Sequence, residues 1–195
     1  MKHQLVFATN NLHKLEEVQS QVANFFKIIS LSDIGCQEDI AETGLTLDEN
    51  ATIKSKYIYD QYQTDCFADD TGLEIEALNN EPGVFSARYS GERDFVKNMD
   101  LVLEKMQGIT NRKARFRTVI SLILNHQEYL FEGIVNGNIR TEPSGNAGFG
   151  YDPIFEPEGY PITFAEMDLA EKNKISHRGR AMQKLIDFLK TQTKH

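Results

Sequence analysis

The sequence predicts an α/β fold built on a mixed β-sheet. Apolar stretches with strand character are interspersed with segments in which apolar residues recur at helical spacing, without strict alternation of the two. Two long predicted strands follow each other through a short Asn-His-Gln connection, which indicates an antiparallel hairpin within the sheet. The chain has 195 residues, a length that fits one domain or two small lobes.

The first part of the chain predicts a strand followed by a helix. Gln4 to Thr9 is typical of a short buried strand, and helical spacing begins at Leu12. Phe26 to Leu31 resembles a second strand, and an acidic loop follows it. Thr46-Leu-Asp-Glu49 is a capping-box pattern, which predicts a helix that runs to about Gln61.

The second part of the chain supplies the remaining elements. Cys66 to Asp70 is typical of a strand that ends in carboxylates, and Thr71-Gly72 follows it. The other predicted elements are an apolar stretch over Leu73 to Leu78, a turn at Glu81-Pro82-Gly83, a helix over Arg93 to Met106, strands over Ala114 to Leu124 and Tyr129 to Val135, and a final helix that starts near Ser176.

The charge balance limits the classes of ligand. Asp and Glu number 29 against 21 Lys and Arg, which gives a formal net charge of −8. This excess argues against a nucleic-acid partner, because binding to a nucleic-acid backbone depends on Lys and Arg that neutralise phosphates. A phosphate ligand would need local help, for example from a bound divalent cation.

The two cysteines and the apolar segments indicate the cellular compartment of the protein. Cys36 and Cys66 lie 30 residues apart without a C-x-x-C spacing, so we expect two buried thiols in a reducing compartment. The apolar run near residue 4 is too short for a signal-peptide core, and no run reaches the ~18 apolar residues of a membrane span. We therefore expect a cytoplasmic protein without membrane association.

The turn from Ala8 to Lys14 is a candidate anion site. If Asn11 caps the following helix, backbone N–H groups and the positive end of the helix dipole lie at the turn, where anions bind. Lys14 is one helical turn further on and shares that face with Asn11. A capped helix with solvated charges is the alternative.

Asp69 and Asp70 are candidates for metal binding or proton transfer. Adjacent strand residues point to opposite faces, so at most one of them faces a given cleft. An Asp that merely caps a turn is the alternative. On the helix after the acidic loop, Asn50, Lys54 and Tyr57 share a face that is polar where packing would favour apolar residues.

The Gly148 to Pro153 loop carries two aromatic residues between glycines. Exposed aromatics on such a loop can stack on a nucleobase, although core aromatics are an equal alternative. Further on, Ser176 is a candidate N-cap that brings His177 and Arg178 into the first turn of a helix. Basic residues there oppose the helix dipole, and this unfavourable placement suggests a function.

Seven motifs, taken in order, resemble one known family. They are T-x-N-x-x-K-x-x-E at Thr9 to Glu17, E-x-G-x-T at Glu42 to Thr46, E-N-A-x-x-K at Glu49 to Lys54, A-D-D-T-G-L-E at Ala68 to Glu74, P-G-V-x-S-A-R at Pro82 to Arg88, G-F-G-Y-D-P at Gly148 to Pro153 and E-K-N-x-x-S-H-R at Glu171 to Arg178. Together they are similar to the inosine triphosphate pyrophosphatase family, and most closely to its bacterial dITP/XTP pyrophosphatase branch.

The resemblance implies an α/β fold of two lobes around a long central mixed sheet, with flanking helices and an active-site cleft between the lobes. It also implies a homodimer that needs Mg²⁺ and cleaves a nucleoside triphosphate to the monophosphate and pyrophosphate. By matching position, Glu42 and Asp70 would hold the metal, and Asp70 would also be the base, with Thr71 beside it. The triphosphate would contact Thr9, Asn10, Asn11, Leu12, His13, Lys14 and Lys54. The base would contact Phe149, Gly150, Tyr151, Asp152, Lys172, His177 and Arg178.

Three points stay open at this level. The turn has Thr9-Asn10-Asn11 where many relatives have Thr-Gly-Asn, and Asn is expected to tolerate the left-handed backbone of such a turn. Asp69 or Glu42 could accept the proton instead of Asp70, because a bound cation lowers the pKa of its ligand. The rival functions are a Maf-type pyrophosphatase for modified pyrimidines, which the S-H-R segment disfavours, and a nucleotide-binding protein without catalysis.

Overall fold

The computed structural model describes residues 4–22 and 26–192. The helices in this part of the chain are α1 (Leu12–Val22), α2 (Leu47–Tyr62), α3 (Phe95–Lys105), α4 (Leu169–Ile175) and α5 (His177–Gln192). The strands are β1 (Gln4–Phe7), β2 (Lys27–Ile29), β3 (Cys66–Ile75), β4 (Glu81–Pro82), β5 (Lys113–Leu124), β6 (Gln127–Ile139) and β7 (Phe155–Pro157).

The strands form a mixed sheet, as the sequence predicts. Their order is β2-β1-β3-β5-β6-β7, and β4 pairs with β3 outside this path. Strand β1 is parallel to β2 and to β3, whereas β4 is antiparallel to β3 and β7 is antiparallel to β6. The expected mixed α/β architecture is therefore confirmed.

The chain divides into two compact units, each with its own core. Unit 1 comprises Met1–Asp70, Thr118–Gly133 and Arg178–His195, and unit 2 comprises Thr71–Arg117 and Ile134–His177. In unit 1, buried side chains of β1, β3 and β5 pack with α5, and the rings of Phe7 and Phe67 stack at 4.5 Å. In unit 2, side chains of β3, β5 and α3 pack with the segment around β7.

Polar side chains fix the beginnings of the helices. The predicted capping box at α2 is present, with the Thr46 hydroxyl accepting from the Glu49 N–H and the Glu49 carboxylate accepting from the Thr46 N–H. At α3 and α4 the Asp94 and Asp168 side chains accept from N–H groups of the first turn. These caps satisfy N–H groups that a helix end otherwise leaves without intrahelical partners.

Strand β3 corrects the prediction that a strand ends at Asp70. The strand continues through Thr71 and Gly72 to Ile75, so the two carboxylates lie in its middle. Gly72 is not a break in the strand. A Cβ at Gly72 would lie 2.7 Å from the carbonyl oxygen of Gly83, so glycine here permits the close approach of a second backbone.

Other boundaries differ from the prediction for local reasons. The hairpin turns at Asn125 and His126, which both have positive φ (49° and 66°), so β6 begins at Gln127 and is longer than expected. Strand β7 and helix α4 lie in segments for which the sequence predicts neither strand nor helix, and both are short.

The structure tests two further expectations, the buried thiols and the lack of a membrane span. Cys36 and Cys66 are free thiols and both are buried, as predicted. Within residues 4–22 and 26–192, the helices lack the combination of length and apolar character that crossing a membrane requires.

Candidate active site

The turn before α1 has the predicted N-cap. The Asn11 side-chain oxygen accepts from the backbone N–H of His13 at 3.0 Å and of Lys14 at 3.3 Å. The Thr9 hydroxyl accepts from the Asn11 N–H at 3.2 Å, and the Asn10 amide donates to the Glu38 carbonyl at 3.3 Å. Asn10 does not take up a left-handed backbone, so the Thr-Asn-Asn turn forms without the strain that glycine would relieve.

Asp69 is held by two cations in the interior of unit 1. The Lys14 ammonium donates to Asp69 Oδ1 at 3.0 Å, and Nε of Arg178 donates to Oδ2 at 3.2 Å. Nη1 of Arg178 also donates to the buried carboxylate of Glu17. Burial alone would raise the pKa of Asp69, but Lys14 and Arg178 hold it well below its usual range.

Asp70 contacts a different set of side chains. Its Oδ2 accepts from the Asn50 amide at 3.0 Å, and its Oδ1 lies 3.9 Å from the Lys54 ammonium. Lys54 donates to Glu42 Oε1 and to the backbone carbonyl of Asp69, both at 2.6 Å. Burial disfavours the charge of Lys54, yet Asp70, Glu42 and Asp69 together raise its pKa. Burial is also the main reason that the pKa of Asp70 is raised.

The two aspartates confirm the alternation expected of a strand. Asp69 contacts α1 and α5, through Lys14 and Arg178, whereas Asp70 contacts α2, through Asn50 and Lys54. Neighbouring strand residues point to opposite faces, so α1 and α5 meet one carboxylate and α2 meets the other. We call the set that surrounds them the unit 1 cluster: Lys14, Glu17, Glu42, Asn50, Lys54, Asp69, Asp70 and Arg178.

Asn50 joins the acidic loop to helix α2. Its side-chain oxygen accepts from the Gly44 N–H at 2.8 Å while its amide donates to Asp70. A Cβ at Gly44 would lie 2.6 Å from the Glu49 Cβ and 2.8 Å from the Asn50 oxygen, so only glycine fits. Glu42, two residues before Gly44, is thereby held near Lys54 and Asp70.

Glu42 and Asp70 form an arrangement that suits a divalent cation. Both carboxylates approach the same ammonium group, that of Lys54, at 2.6 and 3.9 Å. The described residues contain no group of three or more His, Cys, Asp or Glu side chains placed to hold a metal by themselves. Two carboxylates completed by substrate phosphates and water are the usual protein site for Mg²⁺ rather than for a tightly caged ion.

Unit 2 contains a second buried polar group, centred on Asp152. Its Oδ2 accepts from the Lys172 ammonium at 2.7 Å and from the Phe149 backbone N–H at 2.8 Å. The ammonium lies 5.0 Å from the centre of the Phe149 ring and 5.8 Å from that of Phe164. A Cβ at Gly148 would lie 2.1 Å from Asp152 Oδ2, so this loop closes tightly on the carboxylate.

Three rings of unit 2, those of Tyr151, Phe149 and His177, differ in burial and in the groups that they contact. Tyr151 is buried, its hydroxyl donates to the Ser86 carbonyl at 2.8 Å, and burial raises its pKa. Phe149 is half-buried and lies 6.0 Å from the exposed ring of Phe95. His177 is buried and stacks on Phe116 at 4.5 Å. We call Phe149, Asp152, Phe164, Lys172 and His177 the unit 2 cluster.

Comparison with known proteins identifies the family. The model of the Ham1 family matches residues 5–188. The chain belongs to the Ham1 family. A relative named dITP/XTP pyrophosphatase from Flavobacterium psychrophilum is 57% identical over 96% of the chain and 99% of its own length. One of the same name from Porphyromonas gingivalis is 50% identical over 95% of the chain and 96% of its own length.

Solved Ham1 structures have the same fold. A HAM1 protein from Coxiella burnetii matches with a TM-score of 0.89 and 39% identity over 97% of the chain and 99% of its own length. The Staphylococcus aureus Ham1 protein matches with a TM-score of 0.88 and 36% identity over 97% of the chain and all of its own length. The family resemblance expected from the motifs is thus confirmed.

The residues expected at the site fall into both units of this Ham1 chain. Lys14, Lys54, Glu42 and Asp70 come together in unit 1. His13 gives its backbone N–H to the cap, and Leu12 is exposed. Unit 2 holds Thr71, Phe149, Gly150, Tyr151, Asp152, Lys172 and His177.

Two expected base-contacting residues have different surroundings from those anticipated. Arg178 donates to Glu17 and Asp69 within unit 1, which offsets the unfavourable position of its charge at the start of α5. Tyr151 follows the alternative of a core aromatic, because its ring is buried and its hydroxyl is bound to backbone.

Sequence reasoning left several site residues without a role. Asn50 contacts Asp70, and the polar face that it shares with Lys54 was the available signal. Glu17 contacts Arg178, and both belong to family motifs far apart in the chain. Ser86 contacts Tyr151, and only its place in the P-G-V-x-S-A-R motif pointed to it.

Proposed function

We propose that this chain hydrolyses non-canonical purine nucleoside triphosphates, namely dITP, ITP and XTP, to the monophosphate and pyrophosphate. The observation that carries the proposal is the approach of Glu42 and Asp70 to Lys54 in a Ham1 chain whose relatives are named dITP/XTP pyrophosphatases. The activity would remove such nucleotides from the nucleotide pool.

The triphosphate is assigned to the unit 1 cluster and to the turn before α1. Lys14 and Lys54 provide ammonium groups in a protein that is otherwise acidic, and both are largely buried. A charge-assisted hydrogen bond from a buried ammonium to phosphate is stronger than one between neutral groups. Thr9, Asn10, Asn11, Leu12 and His13 supply the turn and the positive end of α1.

Mg²⁺ is the cofactor in this proposal, with Glu42 and Asp70 as its ligands. When bound, it would neutralise phosphate oxygens and so favour attack on phosphorus. Asn50 orients the Asp70 carboxylate, and Gly44 holds the Glu42 loop on α2. The Lys54 ammonium lies close to both carboxylates, at 2.6 and 3.9 Å, and offsets their negative charge.

The reaction needs a group that accepts a proton from the attacking water. Water forms a bond to the α-phosphorus, the bond from that phosphorus to the bridging oxygen breaks, and pyrophosphate leaves with that oxygen. Both oxygens of Asp69 already accept from cations, Oδ1 from Lys14 and Oδ2 from Arg178, which makes Asp69 a weak proton acceptor. We therefore give Asp69 a positioning role, which leaves Glu42 and Asp70. We propose that Asp70 accepts the water proton, as the resemblance implies, through the carboxylate oxygen that does not bind the cation, with Thr71 adjacent in the strand.

Base recognition is assigned to the unit 2 cluster. Inosine and xanthosine have an oxygen acceptor at purine C6, where adenine has an amino donor. Lys172 is a donor-only group, and its ammonium donates to Asp152. Phe149 offers an aromatic face beside this ammonium, with Gly150 in the same loop. A 6-amino base would face donor against donor, which leaves buried groups unpaired.

The proposal also includes the assembly and location of the protein. The resemblance supports a homodimer, which light scattering on the purified protein would test. The buried free thiols of Cys36 and Cys66 support a reducing, cytoplasmic location. The net charge of −8 supports small nucleotides rather than nucleic acid as the ligand.

Product analysis tests the proposed function. The wild-type protein is incubated with dITP, XTP and ATP, with Mg²⁺ or with EDTA, and the products are separated by ion exchange. We expect pyrophosphate and monophosphate from dITP and XTP, little product from ATP, and none in EDTA. Binding of dITP without any product would favour a sequestering protein. Preference for modified pyrimidine triphosphates would favour the Maf-type alternative.

A further inference from the structure

The P-G-V-x-S-A-R motif has no part in the function proposed so far. It forms strand β4 and the following 3₁₀ helix, Gly83–Arg88. Ser86 is the buried residue of that helix. A buried hydroxyl must find hydrogen-bond partners, so its contacts indicate what the segment does.

Ser86 links three separate segments of unit 2. Its hydroxyl donates to the Gly83 carbonyl at 2.6 Å and accepts from the Leu73 backbone N–H at 2.9 Å. Its backbone carbonyl accepts from the Tyr151 hydroxyl at 2.8 Å. One residue thus connects the 3₁₀ helix to strand β3 and to the loop that carries Phe149 and Asp152.

The packing around Ser86 leaves little freedom for these segments. A Cβ on Gly72 would lie 2.7 Å from the carbonyl oxygen of Gly83, so the 3₁₀ helix begins directly against β3. Leu73 is fully buried and Tyr151 nearly so. The hydrogen bonds of Ser86 with Leu73 and Tyr151 are therefore buried, and the loss of either leaves a buried group without a partner.

We propose that Ser86, through Tyr151, is a positioning residue for base recognition. The hydrogen bond from Tyr151 fixes the middle of the loop whose Asp152 carboxylate accepts from both the Phe149 N–H and the Lys172 ammonium. This inference rests on the proposed function, since it assigns that loop to the purine base. Neither residue touches the reacting phosphates, so their loss changes substrate selection and leaves the chemical step intact.

The expected size of the effect follows from the contacts that each variant removes. Tyr151→Phe deletes only the hydroxyl that contacts Ser86. Ser86→Ala deletes the hydroxyl that contacts Gly83 and Leu73 and leaves the Leu73 N–H unsatisfied. A net hydrogen bond corresponds to about 3- to 10-fold in an equilibrium constant, and more where a buried partner is left unpaired.

The experiment measures kcat and KM for dITP and dATP, together with the melting temperature of each variant. In Tyr151→Phe and Ser86→Ala we expect KM for dITP to rise about 3- to 10-fold, with kcat within about twofold and KM for dATP nearly unchanged. Ser86→Thr keeps a hydroxyl and should restore KM for dITP. Two matched controls remove a hydroxyl elsewhere in unit 2. Tyr160→Phe changes a ring that packs against the same core, and Ser90→Ala removes a hydroxyl that makes a long contact, 3.5 Å, with the Glu92 carbonyl.

The outcomes separate this inference from the proposed function. A lower melting temperature with unchanged KM values would show that Ser86 only supports the fold, and would overturn the inference. Equal losses for dITP and dATP would also overturn it, because the loop would then not select the base. If the wild-type protein releases no pyrophosphate from dITP, it is the proposed function that has failed.

Discussion

The two polar clusters of this chain use charge in different ways. In the unit 1 cluster, Lys14, Lys54 and Arg178 share four carboxylates, and the Asp69 side chain contacts two of these cations. In the unit 2 cluster, Asp152 and Lys172 form one buried ion pair, whose cation packs against two aromatic rings.

This difference indicates what each cluster can recognise. A network of several cations and acids suits a multiply charged ligand and a metal ion, because it can exchange one ionic partner for another. A single pair between aromatic rings suits a flat, uncharged ligand that is recognised by shape and by the direction of hydrogen bonds. We therefore assign the triphosphate to unit 1 and the purine base to unit 2.

The largest expected effect is on turnover, from Asp70→Asn. The amide keeps the shape of the side chain but loses the charge that binds a cation and accepts a proton. We expect kcat for dITP to fall about 10²- to 10⁴-fold with an unchanged melting temperature. Asp60→Asn, an exposed position on α2, is the matched control. Near-normal turnover of the Asp70 variant would remove Asp70 from the mechanism.

The next effect is on stability, from Lys172→Met. It leaves the Asp152 carboxylate buried without its cation, which costs about 3–5 kcal/mol of the free energy of unfolding. Urea unfolding measures this loss, and Lys174→Met, at an exposed residue of the same helix, is the control. The double variant with Asp152→Asn should recover much of the stability, because no buried charge then remains. An unchanged unfolding midpoint in Lys172→Met would contradict the importance of this pair.

The third prediction concerns the affinity for phosphates, which tests whether the two lysines of unit 1 bind the triphosphate rather than the base. Lys14→Ala and Lys54→Ala should weaken binding of the triphosphate more than binding of the monophosphate product. A charge-assisted hydrogen bond to phosphate contributes ~1.5–3 kcal/mol, or roughly 10- to 150-fold in affinity. Calorimetry with a non-hydrolysable dITP analogue and with dIMP measures both. Equal losses for the two ligands would place these lysines elsewhere in the site.

Substitution of Arg178 is expected to have the smallest effect on kcat/KM. It also distinguishes most sharply between the two clusters. The sequence places it with the base, whereas its contacts are with Glu17 and Asp69. Arg178→Lys cannot keep both contacts, and we expect kcat/KM to fall about tenfold for dITP and dATP alike. A loss confined to dITP would instead support a contact between Arg178 and the purine base, as the family resemblance implies.

Much of the fold follows from local sequence signals. The capping box predicts the helix that begins at Leu47, and the Asn11 cap predicts the turn before α1. Both caps are present in the structure. The course of β3 was not predictable in the same way. Gly72 looks like a turn residue, and only its contact with Gly83, eleven residues later, shows why it belongs inside a strand.

The site residues show the same limit. Motifs identify which residues matter, and Glu42, Lys54 and Asp70 do come together. The partners of a charged residue depend on contacts between distant segments, as with Arg178 and Glu17, which are 161 residues apart. The Tyr151 hydroxyl likewise donates to the carbonyl of Ser86, which lies 65 residues earlier in the chain.

The most direct test of the division between the clusters is the ratio of kcat/KM for dITP to that for dATP. It is measured for the wild-type protein, for Lys54→Ala, and for the double variant Lys172→Met with Asp152→Asn. We expect Lys54→Ala to lower both specificity constants by the same factor, so that the ratio is unchanged. The double variant should still release pyrophosphate but lose most of the ratio. A ratio that falls in Lys54→Ala, or persists in the double variant, would contradict the assignment of phosphate to unit 1 and base to unit 2.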